Sequence, residues 1–326
     1  RIRIARNLRD YPFPIRASEK NKREIEKNVQ AAFMSASSLM SEQFDFIQMD
    51  HISENKSLSL VEKHIISPDF ISTSIGRAII LSKDEGISIM INEEDHIRIQ
   101  VIKEGFSPKI CFESADRIES LLSEKLNIAY DETWGYLTQC PTNLGTGMRV
   151  SYMMHLPVMN ELGLIQRIAS NLSKLGITIR GTYGEGSNVK GSLYQLSNQI
   201  TLGIDEKDAV KNLTSIAGKI VEQERSGREK LKGNLEIQDK VCRAAGILKN
   251  SKLLSVSEFM ELISLVTLGI STGILSGLNY EDISRLEIHV QPATLMEEEN
   301  KNISPEERDY IRANKVRAIC SQLKEV

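Results

Sequence analysis

The ten residues from Cys140 to Arg149 constrain this chain more than any other stretch. They read C-P-T-N-L-G-T-G-M-R and lead directly into an apolar run, Val150 to Leu156. Pro, Asn and Gly at this spacing form a turn with several free backbone N–H groups, and this turn begins at a thiol and ends at a cation. The composition predicts an anion site. The plainer interpretation is a connection between a strand at residues 135–139 and a helix.

Three further segments carry arginine, which in two of them lies close to glycine or carboxylate. They are Arg1-Ile2-Arg3-Ile4-Ala5-Arg6, Asn92-Glu93-Glu94-Asp95-His96-Ile97-Arg98 and Arg180-Gly181-Thr182-Tyr183-Gly184-Glu185-Gly186. With the C-P-T-N run, they resemble the phosphagen (guanidino) kinase superfamily, whose C-P-[ST]-N-x-G-T-G-x-R, N-E-E-D-H-x-R and R-G-T-x-G-E patterns they match nearly letter for letter. The resemblance covers the chain from its start to about residue 225.

Hydrophobic periodicity predicts a mixed organisation. A helical spacing at 19–41 precedes β-rich runs at 78–81, 86–91 and 97–101. The pattern then predicts a helix at 157–175 and strands at 177–180 and 192–200. It is helical from residue 205 onward. We predict an α+β fold, in which an antiparallel sheet flanked by helices, of the phosphagen kinase/glutamine synthetase-like type, precedes an all-helical domain. The predicted domains are 1–225, catalytic, and 226–326, helical. Because the R-x-R motif stands at the first residue, we expect the polypeptide to begin before Arg1.

Composition excludes several classes of protein. At 326 residues with 40% hydrophobic content, the chain can bury one large core or two domains. Its formal net charge of −3 gives no footprint for nucleic acid. No apolar run is long enough to span a membrane and no signal peptide is visible, which predicts a cytoplasmic protein. The spacing of the cysteines and histidines suggests no protein metal site.

The expected nucleotide site depends on arginine. The chain has no G-x-x-x-x-G-K-[ST] loop, and several guanidinium groups with Mg²⁺ on the phosphates can replace one. The resemblance implies ATP or ADP with Mg²⁺ held through the phosphates. The nucleotide-binding residues that it implies are Arg1, Arg3, His64, Arg98, Arg149, Val150, Ser151, Tyr152, Met153, Arg180, Gly181, Thr182, Tyr183 and Gly184.

The acceptor site is expected to depend on carboxylates. Two carboxylates can hold a guanidinium from both sides and accept its proton as the N–P bond forms. The resemblance assigns this pair to Glu94 and Glu185, with Glu185 as general base. If residues 93–95 form a strand, its alternation sends Glu93 and Asp95 to the face opposite Glu94. Cys140 matches the reactive cysteine of the superfamily, although a buried inert thiol is the alternative.

The acceptor is predicted to be arginine in proteins. The early R-x-R motif and the extra C-terminal helices resemble the bacterial protein arginine kinases rather than the kinases of small guanidino compounds. Arg308, Asp309 and Arg312 match the R-D-x-x-R-A motif by which that family binds phosphoarginine allosterically; a charged solvent face is the plainer interpretation. Two other functions remain open, which are an arginine kinase acting on free arginine and a non-catalytic phosphoarginine-binding adaptor.

The resemblance also implies partners. These are protein substrates with exposed arginine, a zinc-finger activator protein, a Clp-type unfoldase and protease to which phosphorylated proteins are directed, and a heat-shock repressor. Apolar stripes around Leu262 and Val266 suit a homodimer interface or an intramolecular core equally.

Overall fold

A computed structural model describes residues 1–35, 42–182 and 189–326. These residues form two compact units. The first comprises Arg1–Tyr152 and Ser197–Ser215, and the second comprises Met153–Leu196 and Ile216–Val326.

The main sheet has eight strands in the order β2-β3-β4-β5-β1-β8-β10-β9. Its five strand pairs within the first unit are antiparallel, which confirms the predicted antiparallel sheet. The strands are β1 (Ile2–Arg6), β2 (Phe44–Gln48), β3 (Ala78–Ser82), β4 (Ile87–Ile91), β5 (Ile97–Val101), β8 (Met148–His155), β9 (Ile177–Gly181) and β10 (Leu193–Asn198). A separate hairpin pairs β6 (Tyr130–Asp131) with β7 (Gly135–Tyr136).

Alternation along β1 gives the sheet two chemically different faces. Ile2 and Ile4 point to one face and are at most 1% exposed. Arg6 shares that face and donates from Nε to Glu119 on the helix Pro108–Ser123 at 2.9 Å, so this helix covers the apolar side. Arg3 points to the other face. Beside β3 and β4 that second face is covered by a cluster including Leu60.

Three longer helices belong to the first unit. Glu19–Met34 and Glu54–Glu62 begin at serine caps whose hydroxyls accept a backbone N–H, and Pro108–Ser123 begins with proline at its first turn. The helix predicted at 19–41 therefore begins as expected. Residues 36–41 lie outside the described residues.

The second unit is mainly helical, and its C-terminal part bears out the predicted helical region. The helices are Pro157–Glu161, Leu164–Ser173, the C-terminal part of Glu206–Leu231, Leu235–Asn250, Val256–Thr272, Tyr280–His289, Pro292–Glu298 and Pro305–Cys320. Phe259, Ile263 and Val266 are fully buried in its core. None of the helices described has both the length and the apolar surface needed to cross a bilayer.

Two expectations for these helices were wrong in detail. The predicted helix 157–175 is broken at Gly163, which adopts a left-handed φ of 66°. The C-terminal region also contains two short strands, Leu275–Ser276 and Lys324–Glu325, which pair antiparallel. The helix Glu206–Leu231 runs without a break through residue 225, where the domain boundary was placed.

Candidate active site

Arginines from three adjacent strands of the first unit converge on one face of the sheet. Arg3 on β1 lies directly opposite Arg149 on β8. Arg98 on β5 pairs with Ala5, so Arg98 is the diagonal neighbour of Arg3. Arg1 precedes β1 and donates from Nε to the Ser151 hydroxyl at 3.3 Å. The strand register therefore brings together four of the five arginines predicted to bind phosphate.

These cations lie close together in a poorly solvated place. Burial, with a smaller contribution from the charge of Arg98, lowers the pKa of Arg1 to about 10. Burial also lowers the pKa of Arg3 well below its usual value, with further contributions from Arg1, Arg98 and Arg149. The Nε of Arg3 is buried and has no hydrogen-bond partner among the described residues. A buried donor without an acceptor, surrounded by like charges, is suited to an anion that enters from outside.

The N-E-E-D-H run forms a tight turn between β4 and β5 rather than the strand considered above. Asn92 adopts a left-handed φ of 61°, and its side chain donates to the carbonyls of Lys22 and Gly76 at 2.9 and 2.7 Å. Glu93 and Asp95 are buried at 5% and 2% exposure, whereas Glu94 is exposed. The turn therefore leaves Glu94 as the accessible carboxylate, although for a different geometric reason.

Glu93 holds one of the arginines in place. It accepts hydrogen bonds from Arg98 and from the hydroxyl of Ser67. Burial alone would raise the pKa of Glu93, but the charge of Arg98 and these hydrogen bonds outweigh burial and lower it. Glu93 is thus an ionised positioning group for Arg98.

Asp95 and His96 anchor the turn to its surroundings. Asp95 accepts from the Asn7 side chain at 2.6 Å and from the Gln139 N–H at 2.7 Å, which ties the turn to the residue before Cys140. The Leu8 N–H donates to His96 Nδ1 at 3.0 Å, so Nε2 carries the proton and donates to the Pro12 carbonyl. Burial lowers the pKa of His96 to about 4, which keeps the ring neutral.

The C-P-T-N-L-G-T-G loop forms the remaining wall. The Cys140 Sγ lies 3.0 Å from the Thr142 hydroxyl. The Asn143 side chain donates to Glu94 Oε2 at 3.4 Å, and its carbonyl accepts from Arg149 at 3.5 Å. Asn143 therefore connects the exposed carboxylate to the cation cluster.

Thr201 fixes this loop from behind. Its hydroxyl lies 3.1 Å from the Thr142 carbonyl and 2.7 Å from the Leu144 carbonyl, while its own carbonyl accepts from the Thr146 N–H at 2.9 Å. Gly145 approaches so closely that a Cβ there would lie 2.3 Å from the Thr201 carbonyl oxygen. A larger residue does not fit at Gly145 without moving the loop.

Two adjoining cavities open onto these residues. The smaller has a volume of about 220 Å³ and is lined by Arg3, Ala5, Glu94, Asp95, Arg98, Cys140, Thr142, Asn143, Gly147 and Arg149. The larger, about 640 Å³, shares Arg3, Glu94 and Arg98 with it and adds Lys22 and Arg77. No group of three His, Cys, Asp or Glu side chains among the described residues is arranged to hold a metal.

The other predicted residues of the first unit lie around β8 and near Arg1. Burial lowers the pKa of His64 to about 4, and the charge of Arg1 contributes to this. Ser151 is buried on the arginine face, whereas the side chain of Val150 lies on the opposite face at 1% exposure. Tyr152 hydrogen-bonds to Thr214 at 2.7 Å and stacks on Phe106.

The predicted nucleotide residues of the second unit are only partly described. Arg180 is an exposed residue of β9. Thr182, which follows Gly181, donates its hydroxyl to the Met153 sulfur at 2.8 Å. Tyr183, Gly184 and Glu185 lie outside the described residues.

The R-D-x-x-R-A residues lie on the helix Pro305–Cys320. Arg312 is 1% exposed, donates from Nε to the Val290 carbonyl and from a terminal nitrogen to the Leu254 carbonyl, both at 2.8 Å, and also pairs with Asp309. Arg308 and Asp309 are partly exposed. The two arginines therefore differ in role, because Arg312 supports the local fold while Arg308 and Asp309 present surface.

Three supporting residues were not found from the sequence. Ser67 and Thr201 are isolated hydroxyl residues whose partners lie 26 and 59 positions away in the chain, so no local pattern marks them. Arg77, which lines the larger cavity, stands outside the four arginine segments. Only long-range pairing of the strands reveals these contributions.

Family models divide the chain into two parts. Residues 24–227 match the model described as the ATP:guanido phosphotransferase C-terminal catalytic domain. Residues 234–326 match the model of the protein-arginine kinase McsB C-terminal domain.

Relatives match nearly the whole chain, and solved structures share its fold. The chain is 42% identical to the protein-arginine kinase of Halothermothrix orenii and 43% identical to that of Caldanaerobacter subterraneus subsp. tengcongensis, over 97% of this chain and 90% and 94% of theirs. Lombricine kinase shares the fold, with a TM-score of 0.61 at 24% identity over 69% of this chain and 65% of its own. The substrate-free duplicated taurocyamine kinase from Schistosoma mansoni gives 0.62 at 25% identity, over 79% of this chain and 38% of its own. This chain is an enzyme of the protein-arginine kinase family, with the catalytic domain of the ATP:guanido phosphotransferases.

Proposed function

We propose that this protein transfers the γ-phosphoryl group of ATP to the guanidinium group of arginine side chains in proteins. The observation that carries the proposal is the cluster formed by Arg1, Arg3, Arg98 and Arg149, in which a buried guanidinium N–H has no acceptor among the described residues and the exposed Glu94 lines the same cavity. A cation cluster facing a carboxylate matches the two halves of this reaction, a polyphosphate and a guanidinium.

The arginine cluster is proposed to hold the phosphates of ATP. Each guanidinium presents a fixed fork of donors and stays charged at physiological pH. Arg3 is the central member, because its unpaired Nε and three like-charged neighbours are relieved when phosphate oxygens enter. Mg²⁺ fits as an ion held through the phosphates, since no group of three His, Cys, Asp or Glu side chains among the described residues is arranged to hold it; when bound, it would neutralise phosphate charge. His64, Ser151, Tyr152 and Arg180 are proposed to complete the nucleotide site.

The acceptor guanidinium is proposed to lie between Glu94 and Glu185. Because the pKa of a guanidinium lies far above 7, exposing its neutral form at pH 7 costs roughly 9 kcal/mol, so proton removal must accompany N–P bond formation. The hydrogen bond from Asn143 orients Glu94. Glu185 is proposed as the base that accepts the proton, and Cys140 as a group that stabilises the guanidinium.

Protein arginine is favoured over free arginine as the acceptor. The relatives that this chain matches over nearly their whole length are named protein-arginine kinases. Residues 234–326 match the C-terminal domain of a protein-arginine kinase. We propose that residues 226–326 form a regulatory domain, in which Arg308 and Asp309 bind phosphoarginine while Arg312 holds Asp309 in place. By family resemblance the partners are an activator protein, a Clp-type protease system and a heat-shock repressor, in the cytoplasm, where ATP and these partners meet.

Labelled ATP tests this proposal. The protein is incubated with an unfolded protein substrate or with free arginine, and the product is treated with acid, which hydrolyses phosphoarginine and leaves phosphoserine intact. We expect acid-labile label on the protein substrate. Label only on free arginine would reject the choice of acceptor, and label on neither would favour a phosphoarginine-binding adaptor.

A further inference from the structure

A second concave surface of the first unit lies behind the C-P-T-N-L-G-T-G loop. This rear groove has a volume of about 740 Å³. Its walls are the β6–β7 hairpin, the loop at Gly145 and Thr146, and residues 201–206 at the start of the helix Glu206–Leu231. Gly145 and Thr146 thus face the rear groove, while their loop neighbours Cys140 and Asn143 face the candidate active site.

The hairpin presents aromatic surface to the rear groove. Tyr130 and Trp134 are 47% and 52% exposed. The Asp131 carboxylate accepts from the backbone N–H groups of Thr133 and Trp134 at 2.8 and 3.0 Å, which fixes the turn that carries Trp134. The indole of Trp134 makes no ring contact or hydrogen bond with any other described residue. A half-exposed tryptophan on a fixed turn is typical of a contact residue for a binding partner.

The side chains that line the rear groove carry net negative charge, and the nearby Arg9 donates to the Tyr130 carbonyl of the hairpin at 2.5 Å. Asp205 and Glu206 line the rear groove, and neither lysine nor arginine is found among the described residues of its lining. The buried Arg6 lies beneath it, 3.4 Å from Glu206, but Glu119 also pairs with Arg6 at 2.9 Å. These three side chains therefore retain one net negative charge, and Asp205 adds another. Carboxylates beside tryptophan favour a cationic partner and disfavour nucleic acid.

The rear groove is also coupled mechanically to the candidate active site. The Tyr136 N–H donates to the Gly145 carbonyl at 2.8 Å, and a Cβ at Gly135 would lie 2.6 Å from that oxygen. The hairpin and the loop are therefore in direct backbone contact. A polypeptide bound at the hairpin would be separated by this loop from the cavity that Glu94 lines.

We infer that the rear groove docks a basic, extended polypeptide segment of the protein substrate, at a distance along that substrate from the arginine that accepts phosphate. This inference rests on the proposed function for the identity of the partner. Charge complementarity carries it, since the carboxylates of Asp205 and Glu206 favour a cationic segment and Trp134 offers a face for an arginine or lysine side chain.

Trp134 is the single tryptophan of the chain, which makes binding observable without any chemistry. The full chain is titrated with a Gly/Ser/Lys peptide that lacks arginine and tryptophan, while the fluorescence of Trp134 is followed. We expect a saturable change with this peptide and none with a matched Gly/Ser/Glu peptide. The variant carrying Asp205→Asn and Glu206→Gln keeps a capping side chain at position 205 and should bind the lysine peptide at least about tenfold more weakly. An unchanged spectrum, or equal affinity in that variant, would overturn the inference, as would free arginine amide producing the same change at the same concentration.

Steady-state kinetics provides a second readout. Trp134→Ala should raise KM for an unfolded protein substrate by about tenfold and leave KM for ATP unchanged. Tyr280→Ala, which removes a 56% exposed aromatic residue of the second unit, is the matched control and should change neither constant. Equal KM values for Trp134→Ala and the parent would contradict docking at this surface. Should the protein transfer no phosphate at all, the peptide titration still decides whether the rear groove binds a basic chain.

Discussion

Replacing Arg3 with methionine is expected to affect the ligand-free and the nucleotide-bound protein in opposite directions. In the free protein Arg3 is partly buried, is repelled by Arg1, Arg98 and Arg149, and leaves its buried Nε without a hydrogen-bond partner among the described residues. A like-charge pair at roughly 7 Å costs about 2 kcal/mol at an effective dielectric constant near 20, and an unsatisfied buried donor costs about 1–3 kcal/mol. Glu93 offsets part of this repulsion.

Methionine keeps an unbranched apolar stem and removes the charge, so Arg3→Met should raise the stability of the free protein by about 2 kcal/mol. For a unit of about 170 residues this corresponds to roughly 4–8 °C in Tm. ADP with Mg²⁺ at 100 times its Kd should stabilise the parent by about 2.7 kcal/mol. The variant should gain less than about 1 kcal/mol at the same concentration, because loss of one arginine–phosphate contact costs about 2–5 kcal/mol of binding.

Thermal unfolding of both proteins, with and without ADP and Mg²⁺, measures these four values. Arg117→Met, at an exposed position of the helix Pro108–Ser123, is the control and should shift neither the free Tm nor the response to nucleotide. A free Arg3→Met protein that is less stable than the parent, or one that responds fully to ADP, would refute the assignment of Arg3 to a phosphate site.

Three further predictions concern residues around and beyond the site. Thr201→Val should lower kcat by about tenfold with little change in the Kd for ADP, because the loop carbonyls that the hydroxyl holds are released. Thr201→Ser should restore kcat. A valine variant whose kcat equals that of the parent would contradict a positioning role. The pKa of His96 is about 4 in the folded protein and about 6.5 when unfolded, so its contribution of about 3 kcal/mol to the free energy of unfolding is complete above pH 6.5 and is lost as the pH falls to 4. NMR titration should find the His96 ring neutral at pH 5, and a charged ring there would be inconsistent with this. Arg312→Lys should destabilise the protein by about 3 kcal/mol in urea unfolding, because it breaks buried hydrogen bonds to two carbonyls. Arg308→Ala should change stability by under about 0.5 kcal/mol and abolish the response to phosphoarginine. Equal losses of stability in the two variants would argue against their different roles.

The arginine face of β1 was predictable from the sequence because its cause is local. In Arg1 to Arg6, arginine alternates with Ile2 and Ile4, and a period of two separates a buried face from a charged one. The antiparallel sheet and the mainly helical C-terminal region followed from the same kind of periodicity. The match to known motifs then identified the chemistry.

The remaining features could not be predicted because their causes are distant in the chain. The family resemblance assigned Glu94 and the alternation expected of a strand supported it, yet its exposure comes from a turn in which Asp95 is held by Asn7, 88 positions away. Arg312 occurs in a charged motif that suggests a solvent face, but the carbonyls of Leu254 and Val290, 58 and 22 positions away, accept its buried donors. Such contacts exist only once the whole fold has formed.

The central claim is that the arginine cluster binds the nucleotide while Glu94 faces the acceptor. The Glu94→Gln variant tests it most directly, when its affinity for ADP–Mg²⁺ and its phosphoryl transfer to a protein substrate are measured in parallel. The substitution keeps the size and the reach of the side chain and removes its charge. We expect a Kd within about twofold of that of the parent and transfer reduced at least about 100-fold. Transfer close to that of the parent would contradict the claim, and so would a loss of transfer fully explained by a weaker Kd for the nucleotide.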